Sequence, residues 1–98
     1  MSVYSISSIE VKDWDAYEDY MKKVPSIIEK YGGKYIVRGG EIYSDNTSWE
    51  PKRIVILEFP TLENLNNFRD SEDYKPVAAI RLRASTSESF VVEGVWWK

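Results

Sequence analysis

Residues 53–59, Arg-Ile-Val-Ile-Leu-Glu-Phe, read as a strand that is apolar on both sides. Successive side chains of a strand point to opposite faces, so Ile54 and Ile56 fall on one side and Val55, Leu57 and Phe59 on the other. Lys34–Arg38 repeats the pattern, with Ile36 opposed to Tyr35 and Val37. Near the C-terminus Phe90 and Val92 oppose Val91 and Val95. A sheet that met water on one face would alternate apolar and polar residues instead. A sheet built from these strands needs two covers, and a chain of 98 residues has to find both.

The rest of the sequence supplies one of them. Val3–Val11 is rich in β-branched residues and reads as a first strand, with Tyr4 and Ile6 on one side and Val3, Ile9 and Val11 on the other. Asp13 is a candidate helix N-cap, because its carboxylate can accept from backbone N–H groups of the first turn. Trp14, Tyr17, Met21, Val24, Ile28 and Tyr31 follow at spacings of three and four, the stripe of an amphipathic helix. Pro25 lies within that stripe and predicts a kink or a restart. Gly32-Gly33 ends the helix and the second strand follows. Glu41 to Lys52 is a polar hairpin connection, with room for frayed strand ends inside it. After the 53–59 strand, Thr61 caps a short helix carrying Leu62, Leu65 and Phe68. Ser71 caps a second segment with Tyr74, Val77, Ala78 and Arg81, and Phe90–Val95 forms the last strand.

The order β-α-β-β-α-β, its second helix broken in two, predicts one α+β domain over residues 1–98. It has the ferredoxin-like arrangement, a four-stranded antiparallel sheet with the helices on one face. The uncovered face is best closed by the sheet of a second copy related by two-fold symmetry, and the Trp96-Trp97 tail strengthens that expectation. The alternative is that the tail folds back over its own sheet.

Composition narrows the chemistry. The chain has no cysteine, which removes disulfides, thiolate nucleophiles and thiolate metal sites, and no histidine, which removes Ser-His-Asp chemistry, haem held by an axial His and the common His-containing metal sites. No metal site or cofactor is expected. With a net charge of -3 and basic residues scattered among acidic ones, no footprint for nucleic acid or anionic lipid is present. No signal peptide or membrane span is read from the sequence, and the cytosol is the expected compartment.

Four blocks carry a family resemblance. They are Tyr31-Gly32-Gly33-Lys34-Tyr35-Ile36-Val37-Arg38-Gly39-Gly40, Pro51-Lys52-Arg53-Ile54-Val55-Ile56-Leu57-Glu58-Phe59-Pro60, Asp70-Ser71-Glu72-Asp73-Tyr74 with Arg81 downstream, and Val91-Val92-Glu93-Gly94. Together they resemble the family called domain of unknown function thirteen-thirty over nearly the whole chain, with a more polar connection than usual at Ser44 to Trp49. The resemblance implies the dimeric α+β barrel fold and hands over no reaction. Proteins sharing that barrel include cofactor-free monooxygenases, lactone isomerases, haem-dependent enzymes and stress-response proteins, and the lack of histidine counts against the haem branch.

Arg38 and Glu58 stand out as charges at the ends of apolar strands. Arg38 would bind a substrate carboxylate or enolate oxygen, and Glu58 would act as general base if apolar surroundings raised its pKa. The blander role for both is a structural ion pair, with each other or across a dimer. Tyr74 and Arg81 sit two helical turns apart on one face. With Tyr17 from the first helix they would close a pocket in which Tyr74 orients the substrate; their blander role is packing and capping. The glycine pairs lack the spacing of a phosphate loop and read as turns. The cluster Glu10, Asp13, Asp15, Glu18 and Asp19 reads as a solvated helix start. Three functions fit: a cofactor-independent enzyme acting on a small carboxylated or carbonyl metabolite, a binding module using the same pocket without turnover, and a structural dimer whose partner is another protein.

Overall fold

The computed structural model describes residues 1–95. The Trp96-Trp97 tail therefore lies outside the described residues. The elements are β1 (Val3–Val11), α1 (Trp14–Lys30), β2 (Lys34–Arg38), β3 (Arg53–Phe59), α2 (Leu62–Asp70), α3 (Tyr74–Ala84) and β4 (Ser85–Glu93). The strands form one antiparallel sheet in the order β2-β3-β1-β4. This is the ferredoxin-like arrangement, with the helices packed on one face.

Local chemistry sets most boundaries. Asp13 accepts from the Ala16 N–H at 3.1 Å and starts α1, and Gly32, at φ +85°, ends it in the left-handed conformation that a Cβ disfavours. Thr61 starts α2 by accepting from the Asn64 N–H at 3.0 Å. Ser71 joins α2 to α3: its hydroxyl donates to the Phe68 carbonyl at 2.8 Å and accepts from the Tyr74 N–H at 3.1 Å. The chain thereby turns without leaving buried polar groups unpaired.

Four expectations are corrected. Helix α1 runs unbroken through Pro25, so of the kink or restart expected there the restart does not occur. Residues 40–52 contain no strand; this connection is tied down where the Lys52 N–H donates to Ser8 Oγ at 3.1 Å. β4 begins at Ser85, five residues before the expected Phe90, and stops at Glu93. Its polar half, Ser85 to Ser89, pairs with Val11 to Ser7 of β1, so tertiary pairing makes a strand where hydrophobic alternation gives no signal. In β2 a bulge sets both Ile36 and Val37 against the Ile56 region of β3, and Arg38 then pairs with Val55. Val37 therefore departs from the face of Tyr35, and Arg38 is turned toward the helices.

The core lies between the helices and the sheet face carrying Val3, Leu57, Phe59 and Val91. Val24, Ile28, Leu65, Phe68 and Val77 fill it from above. Phe59 is fully buried and stacks near Phe68, with ring centroids 5.5 Å apart. Gly33 makes room for it: a Cβ there would sit 2.6 Å from two Phe59 ring atoms and 2.9 Å from Ile28 Cγ2. Gly33→Ala is therefore expected to destabilise the fold by about 1–3 kcal/mol through overpacking. Urea unfolding should show a lower midpoint with an unchanged slope. An unchanged midpoint would mean that the Phe59 ring has space to yield.

Candidate functional site

The helix-facing side of β1 reads Val3, Ser5, Ser7, Ile9, Val11. Two small hydroxyl side chains thus stand in the middle of a core strand. Ser7 lies between Val55 of β3 and Ser89 of β4, and Ser5 between Leu57 and Val91. The helices cannot close over such short side chains, and a cavity of about 350 Å³ remains above them.

Its walls are unusual in kind. Tyr17 and Tyr20 of α1, Tyr35 of β2 and Tyr74 of α3 line it, four of the chain's seven tyrosines. Arg38 of β2, Arg53 of β3, Arg69 of α2 and Arg81 of α3 line it too, four of the five arginines. No carboxylate is among its described lining residues. Tyr17 and Tyr74 are buried, Arg53 and Arg81 half-buried, and Arg38 and Arg69 exposed, so positive charge rims an aromatic interior.

Several contacts fix these groups. The Tyr20 and Tyr74 hydroxyls are 3.3 Å apart. Burial, reinforced by Tyr74, pushes the Tyr20 phenol far above its ordinary pKa, so it is a proton donor and not a base at neutral pH. Burial also raises Tyr35, against the opposing pull of Arg38, whose guanidinium lies 4.6 Å from the Tyr35 ring centroid. Arg81 Nη1 donates to Ser87 Oγ at 3.2 Å, and Arg69 Nη2 to Asn66 Oδ1 at 2.8 Å. The arrangement offers cations and hydrogen-bond donors, the complement of a small anion with an aromatic or otherwise flat body.

Of the residues picked out in the sequence, Arg38, Tyr17, Tyr74 and Arg81 meet in this cavity. Glu58 does not. It pairs with Tyr4 across β1 and β3, on the sheet face away from the helices, and neither joins Arg38 nor lines the cavity. The condition for its role as base, a raised pKa, is not met: the Tyr4 hydroxyl donates to Glu58 Oε2 at 2.7 Å and Lys34 Nζ lies 3.3 Å from Oε1, holding the carboxyl below its ordinary value. The bulge in β2 is the reason for the separation, because it puts Arg38 on the opposite face from Glu58. Sequence reasoning missed Tyr20, Tyr35, Arg53, Arg69 and the serines. Tyr20 had a signal, one helical turn after Tyr17, and so did the serines, polar residues at apolar positions of a strand.

Glu58 carries a pH dependence. Its folded pKa lies below the unfolded one, so it adds stability above the ordinary carboxylate range, and that contribution is lost as pH falls through the folded value. Tyr4→Phe removes the main cause. The Glu58 carboxyl, followed by carbon NMR, should then titrate at higher pH, and stability should fall less steeply on acidification. An unmoved titration would assign the lowering to Lys34 and Ser2 instead.

Comparison with solved structures shows the same fold at low identity. A protein of unknown function from Rhodopseudomonas palustris matches with a TM-score of 0.76 at 14% identity, over 97% of this chain and 83% of its own. A cofactor-independent oxygenase from Streptomyces nogalater matches with a TM-score of 0.68 at 10% identity, over 98% and 95%. A dimeric ferredoxin-like protein of unknown function from Jannaschia sp. CCS1 gives 0.66 at 10% identity, over 96% and 100%. Comparison with curated proteins finds no match. The family model described as Domain of unknown function (DUF1330) matches residues 2–95, and with nearly the whole chain covered the protein belongs to that family.

Proposed function

We propose that the protein is a cytosolic homodimer in which each protomer binds one small carboxylated or carbonyl metabolite between its helices and sheet, and acts on it without a cofactor. The observation that carries this reading is the gathering of four arginines and four tyrosines around one cavity without a carboxylate opposite them. Arg38 and Arg81 hold the anionic end of the ligand. Tyr74 and Tyr20 donate to a substrate oxygen, and Tyr17 supplies a flat buried wall. Guanidinium and phenol donors favour negative charge developing on that oxygen, so a substrate with an acidic C–H or O–H beside a carbonyl, losing its proton to solvent, is stabilised as its enolate or phenolate. The fold likeness to a cofactor-independent oxygenase supports this chemistry by analogy only. Binding without turnover is the second reading, favoured by the lining's lack of a carboxylate to serve as base.

The dimer rests on the sheet face opposite the cavity. Phe90 is 60% exposed there, Ile36 50% and Val92 44%, beside Ile6, Ile54 and Ile56. Apolar side chains in register across four strands make a surface of the kind that a second sheet covers. The neighbour described as dimeric supports the same assembly.

Two measurements test these proposals. Aromatic carboxylic acids, screened by thermal shift beside their methyl esters, should raise the melting temperature where the esters do not. At a hundredfold excess over Kd the gain is about 2.7 kcal/mol, and each kcal/mol is worth roughly 4–8 °C in a domain of this size. Arg38→Gln and Arg81→Gln should each diminish the shift; a panel without any shift would remove the ligand reading, and loss of a stabilising acid's absorbance over time would separate turnover from binding. For the dimer, Phe90→Glu should convert a sedimenting dimer into a monomer at micromolar concentration. A wild-type protein that already sediments as a monomer would refute it.

A further inference from the structure

In an α-helix the N–H of each residue bonds to the carbonyl four residues earlier. Pro25 has no N–H, so the Met21 carbonyl loses that partner in the interior of α1, where proline costs about 3 kcal/mol. A side chain replaces it: Arg38 Nη2 donates to the Met21 carbonyl oxygen at 2.9 Å. Arg38 reaches the helix because the bulge at Ile36 and Val37 turns it to that side of the sheet. The same residue of the helix also meets a second guanidinium, since Arg53 Nη2 lies 3.4 Å from Met21 Sδ. Gly39 admits Arg53 there, for a Cβ at position 39 would sit 2.0 Å from Arg53 Nη1. Neither arginine forms an ion pair with a carboxylate among the described residues, and Arg53 Nε is buried without a partner. One helical residue therefore draws together two cations from different strands, with no counter-charge among the described residues.

We infer that Pro25 is a positioning residue for a carboxylate subsite: by leaving the Met21 carbonyl free to accept from Arg38, it fixes that guanidinium near Arg53, so that Arg53 joins Arg38 and Arg81 in receiving the carboxylate of the bound metabolite. The identity of the anion rests on the ligand reading above; the contact between the proline-freed carbonyl and Arg38 does not. A proline retained inside a helix for this purpose explains why α1 neither breaks nor restarts, because the group that proline orphans has found another donor.

Pro25→Ala returns an N–H to position 25, which takes back the Met21 carbonyl. Helix content by circular dichroism should be unchanged and the melting temperature equal or higher. The Arg38 guanidinium, followed by nitrogen-15 NMR, should lose the slowed rotation and proton exchange of a held side chain. Benzoate, used as the probe, should bind about tenfold more weakly, the order expected when one hydrogen bond's worth of pre-organisation is lost. In an Arg38→Gln background the same substitution should change benzoate affinity less than twofold, because the proline acts through Arg38. Unaltered Arg38 signals in Pro25→Ala would overturn the inference, and so would an equal loss of affinity in both backgrounds. If benzoate binds neither protein the carboxylate reading falls, while the Arg38 signals still decide whether proline sets the contact.

Discussion

The packing of three helices on one face of the sheet is the interaction on which the rest of the structure depends. It closes tightly at one end, where Phe59, Phe68, Leu65 and Val24 leave little or no surface exposed. It fails to close in the middle, above Ser5, Ser7 and Ser89. Packing density in protein interiors is high enough that three short side chains in adjacent strands leave a void unless long side chains reach into it. Here the side chains that border the void are tyrosines and arginines. The aromatic bodies extend the apolar core, and the polar ends point where a ligand would meet them.

Charge follows from the same geometry. The protein as a whole is acidic, with sixteen acidic residues against thirteen basic ones. Part of that acidity is paired locally: Glu18 and Asp19 face Lys22 and Lys23 one helical turn on, and Glu72 faces Lys75. Such exposed pairs contribute little stability. Their effect is distribution, because they neutralise lysines on the outer surface while the arginines gather around the cavity without an ion-paired carboxylate among the described residues. Arginine suits this place better than lysine, since its planar group stacks on tyrosine rings, as Arg38 does on Tyr35, and still presents a fork of donors.

The fold was largely legible in the sequence because its signals are local. Asp13, Thr61 and Ser71 announce helix starts through short-range hydrogen bonds, and the β-branched apolar runs announce strands. The errors fell where a distant partner decides. Ser85 to Ser89 becomes a strand only because β1 lies beside it, and no alternation within the segment could say so. The bulge in β2 belongs to the pairing with β3, and nothing within Lys34–Arg38 announces that it separates Arg38 from Glu58. Tyr17, Tyr74 and Arg81 meet because helical spacing carries positional information, whereas Arg38 joins them through the bulge. Arg53 and Arg69 escaped because a charge at the start of a strand or the end of a helix looks like ordinary solvation until the fold brings it beside others.

One feature of the sheet has a consequence for how such a protein tolerates change. In β1 and β3 the residues alternate between two quite different duties: Ser5, Ser7, Val55 and Leu57 border the void, while Ile6, Ile54 and Ile56 look the other way. The partition is a single backbone thick. Deleting one residue from β1 would exchange its two sets, pushing Ile6 toward the cavity and serine hydroxyls onto the apolar outer face. Substitutions can tune either side of this wall independently, but insertions and deletions are confined to the 40–52 connection, where no partner strand keeps count.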